Sequence, residues 1–255
     1  MKKSICIEKF FREVDFYDRF QCVADLGIEY AEFWTWPGKD IHKIKNICQT
    51  NNLKIASISG DKTFTPFVLE EREKYLDYLA ESIIVAKTLG CKNLVIHSNG
   101  MENGVVFNDG LKIGMAKKIA CMTRTFMEAA RIAEKENVTL VLEAVNNISV
   151  PNYFLTKTQD SGDIARVIGS PNFKILYDIW HMQQMEGNIV RNLTEYIDVI
   201  GYIHIGDCPE RHEPGTGEIN FNRVKDTLNT LGYDGIYGLE LEPSLTSSES
   251  AKWTW

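Results

Sequence analysis

The sequence lacks the cysteine spacings of common metal and redox sites. It contains six cysteines but no CxxC pair, so neither a zinc ribbon nor a thioredoxin-like motif is present. The six are Cys6, Cys22, Cys48, Cys91, Cys121 and Cys208. We expect reduced thiols that fill the core of a cytosolic protein.

Long hydrophobic runs are also missing. No stretch of about 18 apolar residues occurs, so no membrane span and no membrane partner are predicted. The N-terminal segment MKKSICIEKFF is basic but has neither a long apolar run nor a small-residue cleavage site. It is therefore not predicted to be a signal peptide, and we expect a cytoplasmic protein.

An excess of positive charge is absent as well. The chain has 28 Lys and Arg against 35 Asp and Glu, a formal net charge of -7. A sequence-independent nucleic-acid partner is not expected, because such proteins need a basic face to neutralise phosphates. A small anionic substrate remains compatible, since a few local cations or a metal ion can reverse the field inside a cleft.

What the chain does contain is a regular alternation of short β-branched runs and amphipathic helical stretches. Eight runs are predicted to be strands: 4–8, 30–34, 54–60, 93–99, 139–145, 174–180, 201–207 and 236–242. Eight such units in 255 residues match a (β/α)8 TIM barrel in count and length. A doubly wound sheet is the main alternative, but no GxGxxG follows the first strand. No linker or low-complexity tract divides the chain, so residues 1–255 are interpreted as one domain.

Glycines mark the predicted helix ends. Gly27, Gly90, Gly169 and Gly232 each follow a periodic apolar stretch and precede a short turn into the next strand. The C-terminal segment SLTSSESAKWTW is predicted to form a short closing helix over the end of the first strand.

Ionisable residues stand late in the last four predicted strands. These are Glu143, Asp178, His204 and Glu240, one on each strand. Catalytic groups of a TIM barrel come from the C-terminal strand ends, so the four are expected to converge. Three buried carboxylates stay ionised only beside an opposite charge, which predicts a divalent cation held by these four residues. Oxygen ligands with one imidazole favour Mn²⁺ or Mg²⁺, with Co²⁺ and Zn²⁺ as alternatives. Taken singly, each residue could also be an ordinary rim group in a salt bridge.

Four further residues are candidates for substrate binding. His181 lies just past Asp178 and could polarise a substrate oxygen, and Arg211 could hold a carboxylate or hydroxyl with its planar guanidinium group. His97 ends the fourth strand and could line the cavity. Trp34 could form an apolar wall, together with Trp36. Each has a plain structural alternative in packing or surface pairing.

Three other polar residues are assigned structural positions. His42, which opens a helix, is expected at the surface. His212 and Glu213 are expected to shape the Pro-Gly loop after the seventh strand rather than to take part in chemistry.

Paired carboxylates beside a metal suggest proton transfer next to a carbonyl. A bound cation would acidify the C–H adjacent to the carbonyl of a small substrate. Glu143 and Glu240 could then remove and return the proton of an enediolate, one on each side. Such chemistry moves a carbonyl along a chain or inverts a centre beside it.

Long motifs accompany these residues. LVLEAVNN, VPNYFL, YDIWHMQQMEGN, RHEPGTGEINF and LGYDGIYGLELEP all lie between residues 140 and 243. In these segments the chain resembles the hydroxypyruvate isomerase family of the xylose isomerase-like (β/α)8 superfamily. The resemblance implies conversion of hydroxypyruvate to tartronate semialdehyde, or of a related 2-oxo acid. It also implies that Glu143 and Glu240 are the acid/base pair and that Glu143, Asp178, His204 and Glu240 surround the metal. We further expect a homo-oligomer, either a dimer or a tetramer.

Two positions distinguish the hydroxypyruvate isomerases from their ketose 3-epimerase relatives. His204 stands where many hydroxypyruvate isomerases carry glutamine and where the ketose 3-epimerase relatives carry histidine. Conversely, Ser149 stands where those epimerases usually carry a second glutamate. A 3-epimerase of free ketoses is therefore the first alternative. A non-catalytic sugar-acid binding protein is the second, and a DNA-repair endonuclease is disfavoured by the charge and by the small number of histidines.

Overall fold

A computed structural model describes residues 1–108 and 110–255. Within them the strands are β1 (Lys2–Cys6), β2 (Tyr30–Glu32), β3 (Lys54–Ile55), β4 (Ser57–Ser59), β5 (Asn93–His97), β6 (Met101–Glu102), β7 (Val105–Val106), β8 (Thr139–Glu143), β9 (Phe173–Asp178), β10 (Ile200–Ile205) and β11 (Ile236–Leu239). The α-helices are α1 (Asp18–Asp25), α2 (Ile41–Thr50), α3 (Arg72–Leu89), α4 (Met115–Glu136), α5 (Thr158–Ile168), α6 (Ile179–Met185), α7 (Ile189–Tyr196), α8 (Phe221–Thr230) and α9 (Ser247–Ser250). A 3₁₀ turn, Leu69–Glu71, precedes α3.

The main sheet is a parallel barrel. Its strand order is β3-β2-β1-β11-β10-β9-β8-β5-β4, and all the strand pairs in it are parallel. The two end strands of that order, β3 and β4, are consecutive in the chain and separated only by Ala56. The N–H of Ala56 donates to the carbonyl of Ala31, so the segment closes the ring with a break of one residue. The predicted TIM barrel is confirmed.

The predicted strand positions hold, with small shifts. Segment 54–60 is split at Ala56, because its first half pairs with β2 and its second half with β5. The hairpin formed by β6 and β7 was not predicted. Its turn is Asn103-Gly104, with both residues at positive φ. An Asn-Gly pair between short apolar segments is the usual signal for such a two-residue turn, and the sequence ENGV carries it.

The helix ends also match the expectation. Gly27, Gly90, Gly169 and Gly232 all have positive φ immediately after a helix, where a side chain would be strained. The predicted closing helix is α9, and the Lys3 ammonium at the start of β1 donates to two carbonyls just beyond it.

Two hydrophobic regions build the core. The larger lies between the barrel and its helices, and the smaller fills the inside of the barrel. The six buried interior residues are Tyr30, Ala56, Val95, Val141, Leu176 and Tyr202, each from a different strand or strand break. They close the barrel below the site, so polar groups above them face a cavity open only at the C-terminal strand ends. No helix among the described residues is long and apolar enough to cross a membrane.

Candidate metal and active site

The candidate site lies one layer above the six apolar interior residues of the barrel, which we call the apolar plug. Successive residues of a strand point to opposite faces, so a residue two positions after an interior residue also points inward. Val141, Leu176 and Tyr202 belong to the plug, and Glu143, Asp178 and His204 follow each of them by two positions. Strand periodicity therefore places the predicted ligands on the inside of the barrel, at the C-terminal ends of neighbouring strands.

The four predicted ligands come together. Glu143, Asp178, His204 and Glu240 are all buried, and each offers one nitrogen or oxygen atom within 4.8 Å of the others. The Nδ1 atom of His204 lies 3.2 Å from Glu240 Oε2, 3.8 Å from Asp178 Oδ2 and 3.9 Å from Glu143 Oε1. This cluster could bind a metal ion.

Arg211 reaches into the same cluster from the loop after β10. Its Nη2 atom lies 2.6 Å from Asp178 Oδ2 and 2.5 Å from Glu240 Oε2, and its Nε donates to the Glu240 carbonyl. The guanidinium group also lies over the ring of Trp180, 4.5 Å from its centroid. Burial lowers the pKa of Arg211, but Asp178 and Glu240 outweigh it and the pKa is raised. Arg211 therefore stays charged and neutralises two buried carboxylates.

The pKa values of Glu240 and Asp178 are shifted in opposite directions by their surroundings. Burial would raise the pKa of Glu240, but His204 and Arg211 overcome it and hold that pKa well below its usual value. For Asp178, burial is the stronger influence and the pKa is raised despite Arg211 and His204. Environments that push apart the pKa values of neighbouring carboxyl groups are typical of acid/base sites.

His204 lies between two carboxylates. Its Nε2 atom is 3.1 Å from Oε1 of Glu32, on the side of the ring opposite to Glu240. Burial lowers the pKa of His204, but Glu240 and Glu32 together raise it well above the usual value. Neither ring nitrogen has a well-aligned hydrogen-bond acceptor despite these short separations.

His97 is held by an acidic residue that the sequence interpretation did not include. Its Nδ1 lies 2.7 Å from Asp61 Oδ1, and its backbone N–H donates to Asp61 Oδ2. Its Nε2 points to Glu143, 3.4 Å from Oε2. Burial lowers the pKa of His97, but Asp61 and Glu143 raise it to about 10. At neutral pH the His97 imidazole is thus charged, with Nε2 facing Glu143.

The pKa of His181 is shifted in the opposite direction to that of His97. Burial and the nearby Arg211 charge lower the pKa of His181 to about 3, so its imidazole is neutral at physiological pH. The backbone N–H of Asn146 donates to Nδ1 over 3.1 Å, which leaves the proton on Nε2. That Nε2 lies 3.8 Å from both Glu143 and Asp178. A neutral imidazole with its N–H aimed into the site can donate a hydrogen bond to a substrate oxygen.

A cavity of about 560 Å³ opens above the cluster. Trp34, His97, His181 and Arg211 all line it, as the sequence suggested for substrate contact. Trp34 also donates from its indole N–H to Glu240 Oε1 over 2.6 Å, so it orients a carboxylate as well as forming a wall.

Three of the other residues fall outside the cavity lining. Trp36 packs beside Tyr78 and donates to Ser82, behind the cavity wall. His42 is at the surface, as expected. His212 contacts the Glu242 carbonyl through Nδ1.

The loop that carries Arg211 is organised by a buried carboxylate. Asp207, 1% exposed, accepts hydrogen bonds from four backbone N–H groups of the loop: Cys208, Gly215, Gly217 and Ile219. Arg211 itself adopts φ 63°, a strained conformation for a residue with a side chain. The fixed loop thus holds Arg211 in position over the cluster.

The donor atoms fit a divalent cation. Glu143 Oε1 and His204 Nδ1 are buried without a hydrogen-bond partner, although both face the centre of the cluster. Buried polar atoms are normally satisfied, so unpartnered atoms that converge call for a ligand. Three carboxylates with one imidazole suit a hard or borderline cation.

Sequence interpretation missed three residues that shape this site: Glu32, Asp61 and Asn146. Glu32 carried the signal used for the others, because it is a carboxylate inside an apolar strand, two positions after the plug residue Tyr30. Asp61 directly follows the end of the third predicted strand, 54–60. Asn146 gave no signal, because its contact with His181 depends on how two loops meet.

Comparison with known proteins places this site in a wider family. A family model described as "Xylose isomerase-like TIM barrel" matches residues 20–254. Hydroxypyruvate isomerase from Escherichia coli (strain K12) is 29% identical over 260 residues, which cover 99% of this chain and 98% of that protein. 2-oxo-tetronate isomerase from Cupriavidus necator is 36% identical over 160 residues, 59% of this chain and 61% of that protein.

Solved structures show the same fold at lower identity. A family 2 AP endonuclease from Brucella melitensis superposes with a TM-score of 0.89 at 21% identity, covering 99% of this chain and 97% of that one. D-psicose 3-epimerase with D-tagatose from Clostridium cellulolyticum H10 gives a TM-score of 0.81 at 19% identity, covering 100% of this chain and 90% of that one. The family match over most of the sequence and the closed barrel agree: the chain belongs to the xylose isomerase-like TIM barrel family.

Proposed function

We propose that the protein is a metal-assisted isomerase of a small 2-oxo acid, with hydroxypyruvate and tartronate semialdehyde as the reference pair. The observation that carries this proposal is the cluster of four buried ligand groups within 4.8 Å of one another, open to a cavity. The relatives that match by sequence are named isomerases of hydroxypyruvate and 2-oxo-tetronate, which favours an oxo-acid substrate.

Glu143 and Glu240 are the proposed acid/base pair. Glu143 ends β8 and Glu240 directly follows β11. These strands are separated in the barrel by β9 and β10, so the two glutamates face the cavity from different sides. A divalent cation bound by Glu143, Asp178, His204 and Glu240 supplies positive charge that acidifies the C–H next to a carbonyl. One glutamate removes a proton from the hydroxymethyl carbon to give an enediolate, and a proton passes from the hydroxymethyl oxygen to the former carbonyl oxygen. The other glutamate delivers a proton taken up from solvent to the former carbonyl carbon, and the first then releases its proton to solvent. The carbonyl thereby moves by one carbon and no atom is gained or lost.

The remaining cavity residues position the substrate. The N–H of neutral His181 is placed to donate to the developing oxyanion, and a neutral donor can do so without adding charge. His97, charged at neutral pH, faces Glu143 with Nε2 and orients that side chain. Trp34 covers Glu240 and limits the access of water to it. Mn²⁺ and Mg²⁺ are the proposed cations, with Co²⁺ and Zn²⁺ as alternatives.

A ketose 3-epimerase is the second candidate, and His204 is the observation that favours it. The same pair of glutamates could remove and return a proton at one carbon of a free ketose. Ser149, which stands where those epimerases usually carry a second glutamate, lines the cavity and donates its hydroxyl to Asn146. The position therefore offers no carboxylate to a sugar hydroxyl, which favours the oxo acid.

A substrate screen tests the proposal. Hydroxypyruvate, other 2-oxo acids, fructose and tagatose are incubated with the protein and Mn²⁺ or Mg²⁺, and products are followed by NMR. Turnover of a 2-oxo acid is expected, and turnover of ketoses alone would replace the first candidate with the second. Glu143→Gln and Glu240→Gln should each abolish turnover, whereas Glu136→Gln, a surface change beside Lys87, should not. Unchanged function in both site variants would instead indicate a binding protein.

A further inference from the structure

Beside the four-residue cluster lies a fifth carboxylate, two positions after the interior residue Tyr30. Glu32, on β2, is 2% exposed and lines the cavity. Its Oε2 accepts hydrogen bonds from the hydroxyl groups of Tyr202 and Ser57. Its Oε1 has no such donor and lies 3.1 Å from His204 Nε2. The carboxylate is thus anchored by one oxygen and presents the other to the imidazole.

Each of the two ring nitrogens of His204 therefore faces a carboxylate, on opposite sides of the ring. Nδ1 faces the cluster, between 3.2 and 3.9 Å from oxygens of Glu240, Asp178 and Glu143. Nε2 faces Glu32 on the opposite side. An imidazole can offer a lone pair to a cation only from a nitrogen without a proton, and the partner of the other nitrogen decides where that proton sits. The Nε2 atom lies 3.1 Å from the Glu32 carboxylate, which can therefore accept its proton.

The fold makes room for this contact at a specific glycine. Gly238, on the neighbouring strand β11, has no side chain, and a Cβ atom there would lie 2.4 Å from Glu32 Oε1. Tyr202, which anchors the other oxygen, is two residues before His204 on the same face of β10. Three strands therefore cooperate to hold one buried carboxylate against one ring nitrogen. Such burial is costly unless the charge has a defined partner.

We propose that Glu32 is a positioning residue that fixes His204 as an Nδ1 ligand by accepting its Nε2–H. This inference rests on the cation of the proposed function, but not on the identity of the substrate. Carboxylates that accept from a ligating histidine orient its ring, set its tautomer and make it a stronger donor. Glu32 lines the cavity, and in this role it acts through its contact with His204.

The affinity for Mn²⁺ tests the role of Glu32 directly, because it can be measured without an enzyme assay. Mn²⁺ binding is determined by titration calorimetry on the full chain, for the native protein and for Glu32→Gln, Glu32→Met and Glu186→Gln. Glu186 is a half-buried carboxylate that accepts from Thr158 outside the cavity, so it controls for the loss of a paired acid. Loss of an outer partner of a metal ligand weakens binding by about 10- to 100-fold. We expect Mn²⁺ binding to weaken about 10-fold in Glu32→Gln, because glutamine can still accept a hydrogen bond. In Glu32→Met, which has no acceptor, we expect it to weaken about 100-fold.

A double substitution separates positioning from a general loss of folding. In a His204→Gln background no imidazole remains to be oriented, so adding Glu32→Met should cost much less affinity than it does in the native background. In addition, ¹⁵N spectra of the native protein with diamagnetic Mg²⁺ should show His204 protonated at Nε2. This measurement needs no variant and stands even if the Glu32 variants do not fold.

Three results would overturn the inference. They are native Mn²⁺ affinity in Glu32→Met, equal losses in both backgrounds, and a proton on Nδ1 of metal-loaded His204. A native protein that binds no Mn²⁺ would overturn it as well. Failure of the proposed function looks different, because Mn²⁺ affinity would depend on Glu32 as described while no oxo acid or ketose was turned over.

Discussion

Replacing Arg211 by glutamine should destabilise the metal-free protein and make it more dependent on Mn²⁺. The guanidinium Nη2 lies within 2.6 Å of one oxygen each of Asp178 and Glu240, and all three side chains are buried or nearly so. Removing one partner of a buried ion pair costs about 3 to 5 kcal/mol, because the other charge is left without compensation. A change of 1 kcal/mol shifts the melting temperature of a chain of this size by about 2 to 4 °C, which predicts a fall of about 6 to 20 °C.

A bound cation should reverse part of that loss. The two oxygens released by Arg211 belong to the metal cluster, so Mn²⁺ can replace the missing positive charge. At 100 times its dissociation constant, a ligand that binds only the native state stabilises it by about 2.7 kcal/mol. Melting curves in chelator and in excess Mn²⁺ are the assay. The increase on adding Mn²⁺ should be larger in Arg211→Gln than in the native protein.

Arg166→Gln provides the matched control. Arg166 bonds Asp198 at 2.8 Å, but the two side chains are 38% and 57% exposed, so solvent screens the pair. Its loss should cost no more than about 1 kcal/mol and should leave the response to Mn²⁺ unchanged. If metal-free Arg211→Gln melts like this control, or if Mn²⁺ raises both variants equally, Arg211 does not carry the charge balance of the cluster.

Three further predictions concern the scaffold around the site. Burial raises the pKa of Glu213, but hydrogen bonds from the hydroxyl and backbone N–H of Ser244 outweigh it, so the pKa is lowered. Its stabilising contribution is present above the unfolded-state pKa and is lost as pH falls through the lower folded-state value. Glu213→Gln should therefore cost about 1.5 to 3 kcal/mol at neutral pH and less in acid, as measured by urea unfolding. Gly217→Ala should displace the Arg211 loop, because a Cβ there would lie 2.0 Å from a backbone carbonyl; native Mn²⁺ affinity and stability in this variant would contradict that account. Burial raises the pKa of Cys48 and of Cys91 to about 12, so neither should be alkylated at mildly alkaline pH until the protein unfolds, and mass spectrometry of the native protein checks this.

The barrel could be predicted from the sequence because its evidence is local. Eight short strands alternate with period-3.6 helices, and three of those helices end in Leu-Gly. Only a few architectures accommodate that repetition. The same local pattern placed Glu143, Asp178 and His204 at inward positions near the strand ends. What such a pattern does not determine is which neighbour each of these side chains meets.

Those neighbours are set by the closed barrel. Glu32 and Tyr202 are 170 positions apart in the chain but share a hydrogen bond, and the same closure brings Glu32 to His204. Because the pKa of a buried group depends on charges a few ångströms away, only these cross-barrel contacts make His97 a cation and His181 a neutral donor. The sequence by itself determined the architecture and the set of candidate metal ligands. The tertiary structure alone decided the protonation states, the ring orientation of His204 and the position of Arg211 between two carboxylates, since each results from contacts between residues distant in the chain.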